Sequence, residues 1–186
     1  MKENFIYLGY IDKKVCDNLI NFYEKSPDKM RGRIGWQESS QVNKDIKNCE
    51  EVPLHDRIPE AYAYLAELGK ITTKFKAKYV WADKNHKPWK ISSFKIQKYK
   101  PGEGYYAWHF ENNGSSGSIT RHLVFSTFLN DVKDKGETAF YYQKTKIKAK
   151  KGKTIIFPAA WTHTHKGITS NTETKYIVTG WYNYVD

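Results

Sequence analysis

Cysteine, arginine and long apolar runs are all scarce in this chain, and each scarcity closes off a class of protein. The 186 residues include two cysteines, Cys16 and Cys49, too few for a disulfide framework and too far apart for a zinc knuckle. Both are expected to be buried, inert thiols. No apolar stretch is long enough to span a bilayer, and the opening Met-Lys-Glu-Asn-Phe-Ile-Tyr lacks the hydrophobic core of a signal peptide. The expected setting is therefore cytoplasmic and reducing, without a membrane partner. Arginine occurs only as Arg31, Arg33, Arg57 and Arg121, so lysine supplies nearly all of the formal charge of +11. A lysine-rich surface fits solubility better than the bidentate reading of bases or phosphates, for which arginine is suited.

What is present points to a packed core. Apolar residues make up 39% and aromatics 16% of the chain, with 14 Tyr and 6 Trp, which rules against disorder. Length and texture indicate one domain over residues 1–186, with a helical part over 1–85 and a β-rich part over 86–186. Val15, Leu19, Phe22 and Tyr23 recur at helical spacing between an Asp12 N-cap and Pro27, which predicts a helix over Asp12 to Ser26. A second helix is expected from Pro59, with Tyr62, Leu65, Leu68, Thr72, Phe75 and Tyr79 along one face. Between them, Met30 to Glu51 reads as a long loop with one short strand near Arg33 to Trp36. Its length, and Arg31, Arg33, Trp36 and Gln37 within it, make it a candidate for substrate selectivity.

Beyond Asn85 the pattern becomes extended. Trp89 to Tyr99, Leu123 to Leu129, Glu137 to Tyr142, Lys146 to Ala149, Thr154 to Phe157 and Lys175 to Tyr184 are short, rich in β-branched and aromatic residues, and separated by turn-forming residues. A mainly β jelly roll, with the early helices packed outside one sheet, is the simplest architecture.

The chemistry concentrates in two places. Lys98 to Glu111 carries a Pro101-Gly102 turn and ends in His109-Phe110-Glu111. In an extended segment, residues i and i+2 share a face, so an imidazole and a carboxylate can address one point. A second histidine would complete the two-His, one-carboxylate face of non-haem Fe(II) sites. His163 and His165, after the apolar strand ending at Pro158, both qualify by spacing. Asn112 to Gly117 is a flexible segment expected at the mouth of such a pocket. His55, His86 and His122 are expected to be solvated or satisfied by hydrogen bonds. Lys175 lies in a strand beside Ile177, facing either an anion or open water.

Taken in order, these motifs resemble the Fe(II)- and 2-oxoglutarate-dependent dioxygenases, in their prolyl 4-hydroxylase-like branch, and are similar to its microbial and phage-encoded members. The resemblance runs from about Ile96 to Tyr184 and rests on Tyr99, Pro101-Gly102, Tyr106, Arg121, Phe128-Leu129-Asn130-Asp131, Gly136-Glu137-Thr138, Gly152, Phe157-Pro158, His165, Lys175 and Trp181. The ten-residue step to Lys175 selects His165 over His163. What the resemblance implies is a double-stranded β-helix, cupin-like, with Fe(II) held by His109, Glu111 and His165 as the catalytic and metal residues. It places 2-oxoglutarate against Tyr99, Thr138 and Lys175, and the substrate near Tyr106, Arg121 and Trp181. It also implies dioxygen as oxidant, ascorbate as reductant, and a small-molecule or peptidyl substrate of prolyl type. A phage-encoded member would act in a host cell. Glu111 stands where aspartate is usual in this branch, and Asp134-Lys135-Gly136 replaces a double glycine. Two rival readings are a non-catalytic cupin-like binding module and a nucleic-acid-directed oxygenase, the low arginine count weighing against the second.

Overall fold

The computed structural model describes residues 3–35, 40–84 and 87–186. Trp36, Gln37 and His86, singled out above, lie outside the described residues, as does the expected boundary at Asn85. Among the described residues ten strands and two α-helices follow in chain order: β1 (Tyr7–Tyr10), α1 (Lys13–Lys25), β2 (Met30–Arg31), β3 (Glu50–Leu54), α2 (Pro59–Lys78), β4 (Trp89–Tyr99), β5 (Arg121–Phe128), β6 (Thr138–Phe140), β7 (Thr145–Ile147), β8 (Lys153–Pro158), β9 (His165–Gly167) and β10 (Lys175–Tyr184). A seven-stranded antiparallel sheet runs β1-β8-β5-β10-β4-β3-β2, and a three-stranded sheet runs β7-β6-β9. This is the expected mainly β jelly roll.

Alternation along the strands decides which face each residue serves. On β5 and β8, Leu123, Phe125 and Ile156 join a core built with Leu19 and Tyr23 of α1 and Tyr64, Leu68 and Phe75 of α2. Their neighbours Val124, Ile155 and Phe157 point the other way and pack on Phe140 of β6. One face of the large sheet is thus closed by helices and the other by the small sheet. Tyr64 anchors α2 by pairing its hydroxyl with Thr127 Oγ1 at 2.8 Å. Cys16 and Cys49 are buried free thiols, pushed up by burial to about 11 and about 12.

α1 starts where its cap predicts, Asp12 accepting from the Lys14 amide at 2.7 Å. α2 also starts at Pro59, but its buried face is Ala61, Tyr64, Leu68, Ile71, Thr72 and Phe75, and Tyr62 is 67% exposed. The apolar residues of α2 wrap more than one face, so spacing alone misplaced the stripe by part of a turn. The N-terminal part is more than helical, because β1 and β3 join the large sheet. β3 reads Glu50-Glu51-Val52-Pro53-Leu54, which hides its strand character behind two acids and a proline. β2 pairs only with Glu50 and Glu51, leaving Pro53 on an open edge where no amide is needed. The expected strand near Arg33 is replaced by β2 and a single bridge between Ile34 and Gln41.

Gly152 shows where backbone freedom is required. Its φ is +81°, and a Cβ there would lie 2.3 Å from the Ile11 carbonyl oxygen. The Gly152 amide donates to Phe128 and its carbonyl accepts from Ile11, each at 2.8 Å. One turn thereby ties the segments after β1 and β5 to the start of β8.

Candidate metal centre

His109 and His165 reach the same point because their backbones are paired. The His109 amide donates to the His165 carbonyl at 3.0 Å, and the His165 amide donates back at 2.8 Å. Such a reciprocal pair holds the two α-carbons about 5.5 Å apart. Two residues on, the Glu111 and Asn112 amides both donate to the Ala159 carbonyl, at 3.1 and 2.9 Å. These bonds hold the three donors to β9 and to the end of β8.

The side chains converge accordingly. His109, Glu111 and His165 each offer one ligand atom, and the three atoms lie within 4.8 Å of one another. Glu111 Oε1 is 3.6 Å from His109 Nε2 and 3.6 Å from His165 Nε2. Metal–donor bonds of about 2.1 Å would place adjacent donors about 3 Å apart, so a small contraction accommodates an ion. Each Nδ1 faces a backbone carbonyl, Ala107 at 3.0 Å for His109 and His163 at 2.9 Å for His165. A carbonyl only accepts, so Nδ1 carries the proton and Nε2 turns its lone pair inward. Burial, then the neighbouring His109, lowers His165 to about 4. Burial alone would raise the Glu111 carboxyl, but His109, His165 and Arg121 outweigh it and hold it far below the usual range. Two imidazoles that turn Nε2 toward one ionised carboxylate make a donor set that suits a divalent ion such as Fe(II).

His163 is settled by its own contacts. Its Nε2 meets the Asn4 carbonyl and its Nδ1 the Thr162 hydroxyl, both at 3.0 Å, so neither nitrogen is available. His122 is likewise held, with Nε2 on the Ala82 carbonyl at 2.8 Å and Nδ1 on the Tyr184 hydroxyl at 2.7 Å.

A cavity of about 410 Å³ opens over the triad between the two sheets, lined among others by Tyr99, Thr138 and Lys175. Lys175 on β10 faces Tyr99 on β4 in register, with Nζ 4.9 Å from the ring centroid. The lysine is 5% exposed, so the water-facing alternative is excluded. Its one hydrogen bond among the described residues is a long one, 3.4 Å to the Gly136 carbonyl. Burial lowers its ammonium to about 8. A buried cation without a carboxylate partner is costly, and a bound anion would relieve the cost.

Three expected substrate residues fare differently. Arg121 Nη1 donates to Glu111 Oε2 at 3.1 Å and to the Glu111 carbonyl at 2.9 Å. Trp181 Nε1 donates to the same Oε2 at 3.0 Å, and the Arg121 guanidinium stacks 4.0 Å from the Trp181 ring. Both line the cavity, yet their polar ends hold the carboxylate so that Oε1 faces the histidines. Tyr106 does not line the cavity; its hydroxyl donates to the Gly102 carbonyl at 2.8 Å. Tyr105 takes the inward place and stacks on His109, centroids 3.6 Å apart and rings within 8° of parallel. The chain between Gly102 and His109 turns, so neighbouring tyrosines exchange sides. The segment over 112–117 does not cover the cavity mouth either: Asn112 is drawn to the Ile119 and Arg121 carbonyls at 3.1 and 3.0 Å and lines a separate pocket.

A second polar cluster escaped sequence reasoning. Glu51 on β3, 4% exposed, accepts from Lys47, from Lys95 Nζ at 2.7 Å and from Gln97 Nε2 at 2.6 Å. All four line the same cavity, as do Arg33, Ile34, Gly35 and Ser40 of the long early loop. Burial would raise Glu51, but Lys47 and Lys95 bring it down to about 2. The available signal was Lys95, Gln97 and Tyr99 at alternate positions of one strand, three polar residues on one face.

Comparison with known proteins agrees with this geometry. Residues 94–183 match the model of the 2OG-Fe(II) oxygenase superfamily. No curated protein sequence matches the chain. Among solved structures, the viral collagen prolyl hydroxylase of Paramecium bursaria Chlorella virus-1 is similar, with 21% identity, a TM-score of 0.71 and 97% of each chain covered. A Pseudomonas putida prolyl-4-hydroxylase is 12% identical at a TM-score of 0.71, covering 96% of this chain and 92% of its own. A Trichoplax adhaerens prolyl hydroxylase, in complex with a hypoxia inducible factor oxygen degradation domain peptide fragment, is 15% identical at 0.74, covering 97% and 84%. No helix among the described residues is long and apolar enough to cross a membrane. Over residues 94–183 the chain is thus similar to the 2OG-Fe(II) oxygenase superfamily, its fold is the one seen in these prolyl hydroxylase structures, and its His-Glu-His cluster could hold a metal ion.

Proposed function

We propose that the chain, acting as one oxygenase domain, hydroxylates a C–H bond of a small-molecule or peptidyl substrate while 2-oxoglutarate is decarboxylated to succinate and CO2. The observation that carries this reading is the convergence of three donor atoms within 4.8 Å in the same cavity as a buried lysine whose ammonium makes, among the described residues, one 3.4 Å hydrogen bond to a backbone carbonyl. When bound, Fe(II) supplies the dioxygen and electron chemistry that couples the two halves of the reaction. His109 Nε2, Glu111 Oε1 and His165 Nε2 would hold it. Lys175 would bind the distal carboxylate of 2-oxoglutarate, with Tyr99 and Thr138 flanking it. Arg121 and Trp181 orient Glu111, and Phe157 packs near His165, centroids 4.9 Å apart, keeping that side of the site dry. Ascorbate belongs to the same proposal, as the reductant that restores the ion after uncoupled turnover. The peptide held by the Trichoplax protein supports a peptidyl acceptor.

The test is succinate release from 2-oxoglutarate in air by protein loaded with Fe(II). Wild type is expected to turn over slowly without substrate, and His109→Ala or Glu111→Ala to abolish it. Full turnover in either variant would remove those residues from the site, whereas a silent wild type with no bound iron would favour a non-catalytic binding module.

A further inference from the structure

The cavity continues past the metal centre to a wall built by β3, β4 and the end of the early loop, and the chemistry of that wall differs from anything the iron or the co-substrate requires. Lys47 and Lys95 share one carboxylate, Glu51. The two ammonium groups are not equivalent. Lys47 is 4% exposed, donates to Glu51 and to the Arg33 carbonyl, and lies 5.6 Å from the Tyr105 ring centroid. Two of its three donors are thus used and the ammonium is buried against an aromatic face. Lys95 makes one bond among the described residues, to Glu51 Oε2, and its side chain keeps 24% of its exposure. Two of its N–H groups remain for something else in the cavity. Its Nζ is 5.9 Å from the centroid of the Trp181 ring, whose Nε1 holds Glu111. Lys95 therefore stands one indole away from Glu111, in the same cavity.

The charge balance of the whole cavity points the same way. Its lining includes the cations Arg33, Lys47, Lys95, Arg121 and Lys175 against the carboxylates Glu51 and Glu111. A divalent ion and a dicarboxylate co-substrate cancel each other and leave this excess untouched. Positive charge confined between two sheets raises the local concentration of anions and penalises cations.

We propose that the substrate carries a carboxylate and that Lys95 is the residue that reads it, with Glu51, Lys47 and Gln97 as positioning residues that hold the ammonium in place. The inference rests on the oxygenase reading and narrows its substrate class. The carboxylate has two sources, the main-chain acid of a free amino acid or an acidic side chain in a peptide, and the recognition chemistry is common to both.

Fe(II) and 2-oxoglutarate together give a charge-transfer absorption whose shape changes when a substrate-like molecule displaces water from the ion, so binding is read anaerobically and without turnover. The probes are matched pairs: single amino acids as free acids and as carboxamides, and short proline-containing peptides with Asp or Glu against the same peptides with Asn or Gln. At least one acid is expected to bind tenfold or more tightly than its amide partner. A preference among the amino acids identifies the main-chain acid, and one confined to the peptides identifies the side chain. Lys95→Met is expected to erase the preference and Lys95→Arg, which keeps the charge, to retain it. Acid and amide indistinguishable, neither registering, or an undiminished preference in Lys95→Met would each overturn the proposal. Failure of the oxygenase reading looks different, because the absorption band would then be missing before any probe is added.

Discussion

Glu111 is a residue whose surroundings explain its identity. Its Oε2 is gripped by Arg121 and Trp181 at 3.1 and 3.0 Å, and its Oε1 stands 3.6 Å from each histidine Nε2. The glutamate carries one methylene more than the aspartate usual in similar enzymes, and these two donors give the longer side chain a fixed rotamer. Trp181→Phe keeps the ring under Arg121 but deletes the N–H. It is expected to weaken Mn(II) or Fe(II) binding about tenfold, within the range known for groups that orient metal ligands, as read by metal titration. Lys175 makes a second residue-level prediction. Its ammonium is lowered from 10.5 to about 8 by burial, so between pH 8 and 10.5 the unfolded chain binds a proton that the folded chain lacks. Stability without co-substrate should therefore rise across that window, and it should not in Lys175→Met, as checked by urea unfolding. On the proposed assignment of Lys175 to the distal carboxylate, 2-oxoglutarate would meet the charged form, and its Kd is expected to climb as pH passes 8. Lys175→Ala should raise the Kd at neutral pH roughly 10- to 100-fold, from the loss of a charge-assisted contact.

At the scale of elements, the short connections do more to place the site than the long strands. The turn at Asp134-Lys135-Gly136 takes two consecutive positive φ values, 61° and 75°, and presents the Gly136 carbonyl to Lys175. A Cβ on Gly136 would lie 2.7 Å from Val132 Cγ1. Gly136→Ala is thus expected to cost about 1 to 2 kcal/mol in denaturant unfolding and to weaken 2-oxoglutarate binding with it. β9 is three residues long, yet it carries His165 into the reciprocal pairing with His109. β4 and β10 were readable from their alternation and β8 from its short apolar run. β1, β3 and β9 were not, since each is short and each contains a residue poor in strand propensity or polar for the sake of the site.

For the molecule as a whole, the large sheet is a partition, with helices on one side and the cavity on the other. Phe125 sits on the helical side, fully buried, near Tyr64, Phe94 and Tyr182 with centroids 5.3 to 6.4 Å apart. Phe125→Ala should cost about 3 to 5 kcal/mol, measured by thermal or urea unfolding, because three elements lose a shared contact. Metal affinity of the fraction that stays folded should change little, since the triad lies across the sheet.

The pairing of His109 with Glu111 was legible in the linear chain because residues two apart in an extended segment share a face, and the order of His165 and Lys175 because the spaced motifs resemble those of a known family. The helices were legible because caps and apolar recurrence are local. Tertiary structure alone decided that both nitrogens of His163 are taken by other partners, that Tyr105 and not Tyr106 lines the cavity, and that Arg121 and Trp181 hold Glu111. It alone joined Lys47 and Glu51 to Lys95, which lies more than forty residues away. The physical reason is the same throughout: a side chain's partner is set by which strands become neighbours, and strand neighbours in this sheet are far apart along the chain.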